Sequence, residues 1–164
     1  MQRRTMIAVG LVAIVVIAGL AMTPVTMVSV TGANGQAIVC ARVDRESSIA
    51  LTFTHSMYGG DVTETYRLTD SATLLRTSIQ TDNAAAAEYY AWDGAVRAEG
   101  DRFEVVVPDQ VFSSLPVRVD EIGNHRLMVD ETSVDLAAMV DGSEGVRLSL
   151  VTPPLVSQVF GARC

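Results

Sequence analysis

The stretch "LTFTHSMYGGDVTETYRL", residues 51–68, decides the fold. Apolar and hydroxyl-bearing residues alternate on both sides of Gly59-Gly60, the pattern of two half-buried strands joined by a turn. Adjacent glycines accept positive φ, so the spacing predicts a two-residue hairpin loop at Gly59-Gly60; a four-residue loop from Tyr58 to Asp61 gives the same register. In that register His55 faces Glu64, Phe53 faces Tyr66 and Leu51 faces Leu68. The three pairs share one face because successive side chains alternate. Thr52, Thr54 and Ser56, with Thr63, Thr65 and Arg67, make the opposite, wet face.

Working outward, the same short β pieces recur. "TMVSV" (26–30) and "QAIVCARV" (36–43) flank "TGANG", whose Asn34-Gly35 is a hairpin-turn signal. "ATLLRTSIQT" (72–81), "RFEVVVP" (102–108), "LPVRVD" (115–120), "HRLMVD" (125–130) and "GVRLSLV" (145–151) follow, with turn residues between them. One strand about every ten residues predicts an all-β domain, a small, mostly antiparallel sandwich or barrel over residues 26–164. Two stretches break the pattern. "DNAAAAEYYAWDG" (82–94) reads as a helical turn or as a loop lying over the open end of the barrel, and "VDLAAMV" (134–140) as a short helix or a strand. The apolar tail "TPPLVSQVFGARC" is too short and too proline-rich for a membrane span, and is expected to pack on the domain.

Residues 6–22, "MIAVGLVAIVVIAGLAM", carry no charge, and Arg3 and Arg4 precede them. At about 1.5 Å per residue they reach roughly 25 Å, the short end of a membrane span. Arginines on the N-terminal flank place the N-terminus inside and the rest outside. Residues 1–25 are therefore expected to be a single-pass anchor, or else a signal peptide cleaved near Gly19-Leu20-Ala21. Both readings export residues 26–164.

The formal charge is −7, from 12 basic and 19 acidic residues, and every basic residue is arginine. So acidic a chain lacks the basic stripe that nucleic acid requires. The absence of lysine suits a halophile's protein, soluble where charge repulsion is screened, or reflects ordinary acidic bias in a GC-rich genome. Cys40 and Cys164 are the two cysteines. Outside the membrane they are able to form a disulfide; they read equally as two small hydrophobes.

The expected His55–Glu64 pair has three readings: a polar clasp fixing the hairpin, a binding site for a ligand or partner, or a catalytic pair. Ser56 points away from His55 on a strand, which does not suit a nucleophile and its base. No serine sits in a G-x-S-x-G elbow and no glycine-rich phosphate loop occurs. His55, Glu64 and His125 are in principle able to bind a metal, but three ligands scattered this way are a weak signal, and "DGSEG" and "DETSVD" do not fit a calcium loop. The sequence thus predicts no metal, no cofactor and no enzyme.

"FTHSMYGGDVTETYRL" resembles the signature of the domain of unknown function 1850 family: a His-Ser pair ending one strand, then a Glu opening the next with an aromatic and an aliphatic residue after it. The matching positions are His55, Ser56, Glu64, Tyr66 and Leu68. "AIVCARV" resembles the family's cysteine-bearing strand. "AAAAEYYAWDG" falls where the family has a Gly-Ala-Gly-type segment; only alanines stand here, so any backbone role of those glycines has no counterpart. The resemblance, over about residues 26–150, implies a small exported or membrane-anchored protein encoded beside TAXI-type tripartite ATP-independent periplasmic (TRAP) transporters. It implies an accessory or binding protein that contacts the transporter's membrane subunit or its solute receptor. The alternative is a small extracytoplasmic hydrolase using His55 and Glu64.

Overall fold

A computed structural model describes residues 18–91, 94–159 and 164. Its strands are β1 (Met27–Thr31), β2 (Ala37–Arg42), β3 (Ile49–Thr54), β4 (Asp61–Leu68), β5 (Leu74–Thr81), β6 (Val96–Glu99), β7 (Arg102–Val105), β8 (Gln110–Phe112), β9 (Ser114–Val119), β10 (Arg126–Val129), β11 (Thr132–Asp135) and β12 (Glu144–Val151). Between and after the strands lie two short helices, α1 (Ala84–Ala91) and α2 (Leu155–Val159), and one 3-10 turn (Ala137–Met139).

The smaller sheet has the order β2-β1-β12-β9. The larger runs β11-β10-β3-β4-β5-β7-β6, with β8 pairing with the other half of the β5 edge that β7 occupies. Every strand pair is antiparallel. One core joins the inner faces of both sheets: Val28, Val30 and Leu148 from the smaller, Ile49, Leu51, Tyr66 and Leu127 from the larger. The fold is a mostly antiparallel all-β sandwich, which follows from strands that are each apolar on alternate residues. A second cluster sets Ala86 and Ala87 of α1 against Val62, Ile79 and Val105. The small alanines let the helix approach the sheet closely, and Asn83 starts it by accepting the amides of Ala85 and Ala86 (2.9 and 3.2 Å). The stretch 134–140 splits between β11 and the 3-10 turn.

The central hairpin departs from the expected register. β3 ends at Thr54, which pairs with Asp61, so Leu51 faces Glu64, Phe53 faces Val62 and Ile49 faces Tyr66. The inward and outward faces are those expected, because the slip is by an even number of residues. The cause is the loop. Residues 55–60 form a compact connection in which the His55 amide donates to the Gly60 carbonyl (2.9 Å) and the Gly59 amide to the His55 carbonyl (2.9 Å). Both glycines do adopt positive φ (68° and 77°), but inside a six-residue loop.

Of the expected anchor, residues 1–17 lie outside the described residues, and 18–22 form a helical turn. Among the described residues no helix is long and apolar enough to cross a membrane. The chain then runs beside the C-terminal segment: Val25 donates to Pro153 (3.0 Å) and Leu155 to Thr23 (2.9 Å). Cys40 of β2 and Cys164 are joined by a disulfide, their Cα atoms 5.9 Å apart.

Candidate functional site

Glu64 sits on the inward face of β4, 8% exposed, where a carboxylate must find partners. The Tyr66 hydroxyl donates to its Oε2, and Oε1 lies 3.7 Å from Nη1 of Arg76. Glu64 and Tyr66 share a face because they are two residues apart on one strand. Arg76 reaches that face through a β-bulge: β5 shifts register opposite Thr65/Tyr66, so Glu64 faces Ile79 but Tyr66 faces Arg76. Without the extra residue, Thr77 would occupy Arg76's place and the guanidinium would point to the opposite side. The change shows in burial, since Ile79 and Thr81 are buried at one end of β5 and Leu74 at the other. Arg76 also donates to Gln110 Oε1 (2.7 Å) and lies over the Phe112 ring (5.7 Å). Burial, then the neighbouring Glu64 charge, pushes the Tyr66 phenol well above its ordinary value. Tyr90 is pushed up to about 12 by burial first, with Glu64 and Tyr89 adding to it.

His55 is 7% exposed and opens the loop rather than ending a strand. Its Nδ1 accepts the amides of Met57 and Tyr58, both at 3.2 Å. A ring nitrogen that accepts carries no proton, so the neutral ring holds its proton on Nε2. The ring packs against Tyr58, Tyr89 and Tyr90, with centroids 5.1, 5.1 and 5.7 Å away. His55 and Glu64 therefore do not face each other across the hairpin, and among the described residues no hydrogen bond or ion pair joins them. Each clasps something else, His55 its own loop and Glu64 the Tyr66–Arg76 pair. Ser56 is exposed in the loop.

His125 comes from the turn before β10 and stacks on Phe53 (5.4 Å between centroids). It is 9% exposed, and its Nδ1 has no hydrogen-bond partner. Burial holds its pKa below the ordinary histidine value, against the pull of Asp120. The ring lies tight on Gly123, where an added Cβ would sit 2.3 Å from Cε1 and 2.6 Å from Nδ1. Gly123 itself is pinned, donating to Asp120 Oδ1 (2.7 Å) and accepting from the Thr54 amide (2.7 Å).

These groups surround three linked cavities. One of about 320 Å³ lies between the sheets and is lined by Leu51, Phe53, Glu64, Arg76, Arg118 and His125 among others. A second of about 300 Å³ shares Phe53, Arg118 and His125 with it and adds His55, Tyr89 and Tyr90. A third of about 600 Å³ joins Arg76 and Gln110 to Tyr89 and Tyr90. Exposed apolar side chains stand at the second cavity: Met57 and Tyr89 line it, and Tyr58 packs on His55 and Tyr89. Among the described residues no group of three or more His, Cys, Asp or Glu is placed to hold a metal ion. Sequence reasoning had not picked out Arg76, Tyr90, Arg118 or Phe53 for the site. Only the Tyr89-Tyr90 cluster carried a signal, as a segment lying over the end of the β-structure.

The family described as "Domain of unknown function (DUF1850)" matches residues 49–136, more than half of the 164-residue chain. The matched span holds the whole larger sheet and β9, and with them every side chain named around the first two cavities. No curated protein and no solved structure matches the chain.

Proposed function

The chain belongs to the DUF1850 family, and from that premise we propose that it is an extracytoplasmic accessory or binding protein, not an enzyme. In this reading residues 1–25 anchor it to the membrane and it serves a TAXI-type TRAP transport system, contacting the solute receptor. The observation that carries the reading is the exposed apolar group Met57, Tyr58 and Tyr89 at a cavity remote from the anchor. Met27, where β1 begins, pairs with Val151, whereas Arg118 at the cavity pairs with Gly145 further along β12. Six residues at about 3.3 Å each put roughly 20 Å between the anchored end and the site. A site at that end suits a soluble receptor better than the transporter's membrane subunit. Isolated exposed apolar residues are ordinary, but a group of them at the mouth of a cavity is the pattern of an interaction surface.

The hydrolase alternative has less support. His55 Nδ1 is occupied by two backbone amides and Glu64 by Tyr66 and Arg76, so neither is disposed as the base of the other. The test is co-purification of the full chain, in membranes, with the receptor and membrane subunit of the adjacent transporter. Met57→Asp and Tyr89→Asp should abolish capture of the receptor while leaving the unfolding temperature nearly unchanged, as surface substitutions do. Capture that survives both changes would sink the proposal.

A further inference from the structure

We propose that the cavity of about 320 Å³ between the sheets binds a small organic carboxylate, its anionic head between Arg76 and Arg118 and its apolar body against Phe53, Phe112 and Leu115. The inference rests on the binding reading above and names the chemistry of a ligand for the site.

Charge is the first argument. Two arginines, Arg76 and Arg118, and one glutamate, Glu64, are among the residues that line the cavity. Arg76 is only partly compensated: its Nη1 stands 3.7 Å from Glu64, beyond hydrogen-bond reach, and its buried Nε has no partner. Tyr66 already donates to the Glu64 carboxylate from the other side. Arg118 is exposed and donates from Nε to Ser143 Oγ (3.2 Å), and among the described residues no carboxylate lies within ion-pair distance of it. A buried donor without an acceptor costs free energy, and a guanidinium presents paired donors that match the two oxygens of a carboxylate. In the adjoining chamber Asp120 opposes an anion, but its Oδ1 already accepts from the Gly123 amide.

Shape is the second argument. The remaining walls are Leu51, Phe53, Phe112, Leu115 and Val117, with the Phe53–His125 stack closing one side. Apolar walls with a few convergent polar groups are the make-up of small-molecule sites, and the volume lies at the small end of their range. An inorganic anion would leave those walls uncovered. A cation would meet the charge of Arg76, whose buried Nε has no partner. A monocarboxylate with a short aliphatic or aromatic body satisfies both sets of groups.

The experiment titrates the full chain, in neutral detergent, with phenylacetate, 2-phenylethanol and phenethylammonium, together with the straight-chain acids from acetate to hexanoate, by calorimetry and ligand-observed NMR. Phenylacetate or one of the longer acids should bind in the millimolar range or tighter, the alcohol at least about tenfold more weakly and the ammonium ion not at all. Arg118→Gln, at an exposed position where folding is not at stake, should weaken the acid roughly tenfold. Glu64→Gln keeps an acceptor for Tyr66 and removes the opposing charge, so it should tighten binding. Absence of binding by every acid, equal binding of acid and alcohol, preference for the ammonium ion, or indifference to Arg118→Gln would each overturn the inference. These readouts need no partner protein and the co-purification needs no added ligand, so either proposal is able to fail while the other stands.

Discussion

Replacing Tyr66 by phenylalanine tests the buried network at its centre. The ring is fully buried and its hydroxyl donates to a carboxylate that is itself 8% exposed. The substitution keeps the ring's volume and removes the donor, leaving Glu64 with Arg76 at 3.7 Å as its charged neighbour. A hydrogen bond to a charged group contributes about 1.5–3 kcal/mol, so a loss near 2 kcal/mol is expected. For a protein of this size that lowers the unfolding temperature by roughly 4–8 °C. Combined with Glu64→Gln in a double-mutant cycle, Tyr66→Phe should show a coupling of about 1–2 kcal/mol. His55→Ala with Glu64→Gln should be additive to within about 0.5 kcal/mol, since no bond joins them. The pH dependence follows from the raised phenol pKa. In the unfolded chain the phenol ionises near 10, in the folded chain higher, so the folded state holds the extra proton above pH 10. Its stabilisation is complete below pH 10 and is lost as pH climbs beyond it. The gap between wild type and Tyr66→Phe should therefore narrow above pH 10, while Tyr90, at about 12, keeps part of the alkaline slope in both proteins. Urea unfolding at pH 7 and between pH 9 and 11 measures both effects. A Tyr66→Phe loss below about 0.5 kcal/mol, or a gap that widens with pH, would refute the network.

Three further outcomes follow from the geometry. Gly59→Ala meets only the cost of positive φ, about 1–2 kcal/mol, because nothing lies within 4 Å of its added Cβ; Gly60→Ala should cost clearly more in chemical unfolding, since its Cβ would fall 2.5 Å from Asp82 Oδ1 and 2.6 Å from Asn83 Cβ. Gly123→Ala should displace the His125 ring from Phe53 at about 1–3 kcal/mol, read by calorimetry and by the loss of ring-current shifts on the His125 protons. Reducing the Cys40–Cys164 bond, or replacing both cysteines by serine, opens a loop of 124-residue separation and should lower stability by up to about 4–5 kcal/mol in the chain-entropy account; unchanged melting under reductant would contradict it.

Most of the strands, their inward faces and the turn at Asn34-Gly35 were legible along the chain, because alternation and turn chemistry are local properties that survive without tertiary context; β6 and β8, four and three residues long, are too short to carry that pattern and were not. The family signature was legible for the same reason, as residues at fixed spacing on one hairpin. What those residues do was not. The pairing register depended on His55 capturing the Met57 and Tyr58 amides, a side-chain choice that lengthened the loop and carried His55 away from Glu64. The partner of Glu64 depended on a bulge in β5, which no local pattern announces and which turns Arg76 instead of Thr77 toward the core. Arg118 and His125 entered the site from the other sheet and from a distant turn. Sequence fixes which face each residue shows its own strand; how the strands slide and pack, set by a few long-range polar contacts, decided which side chains share a cavity.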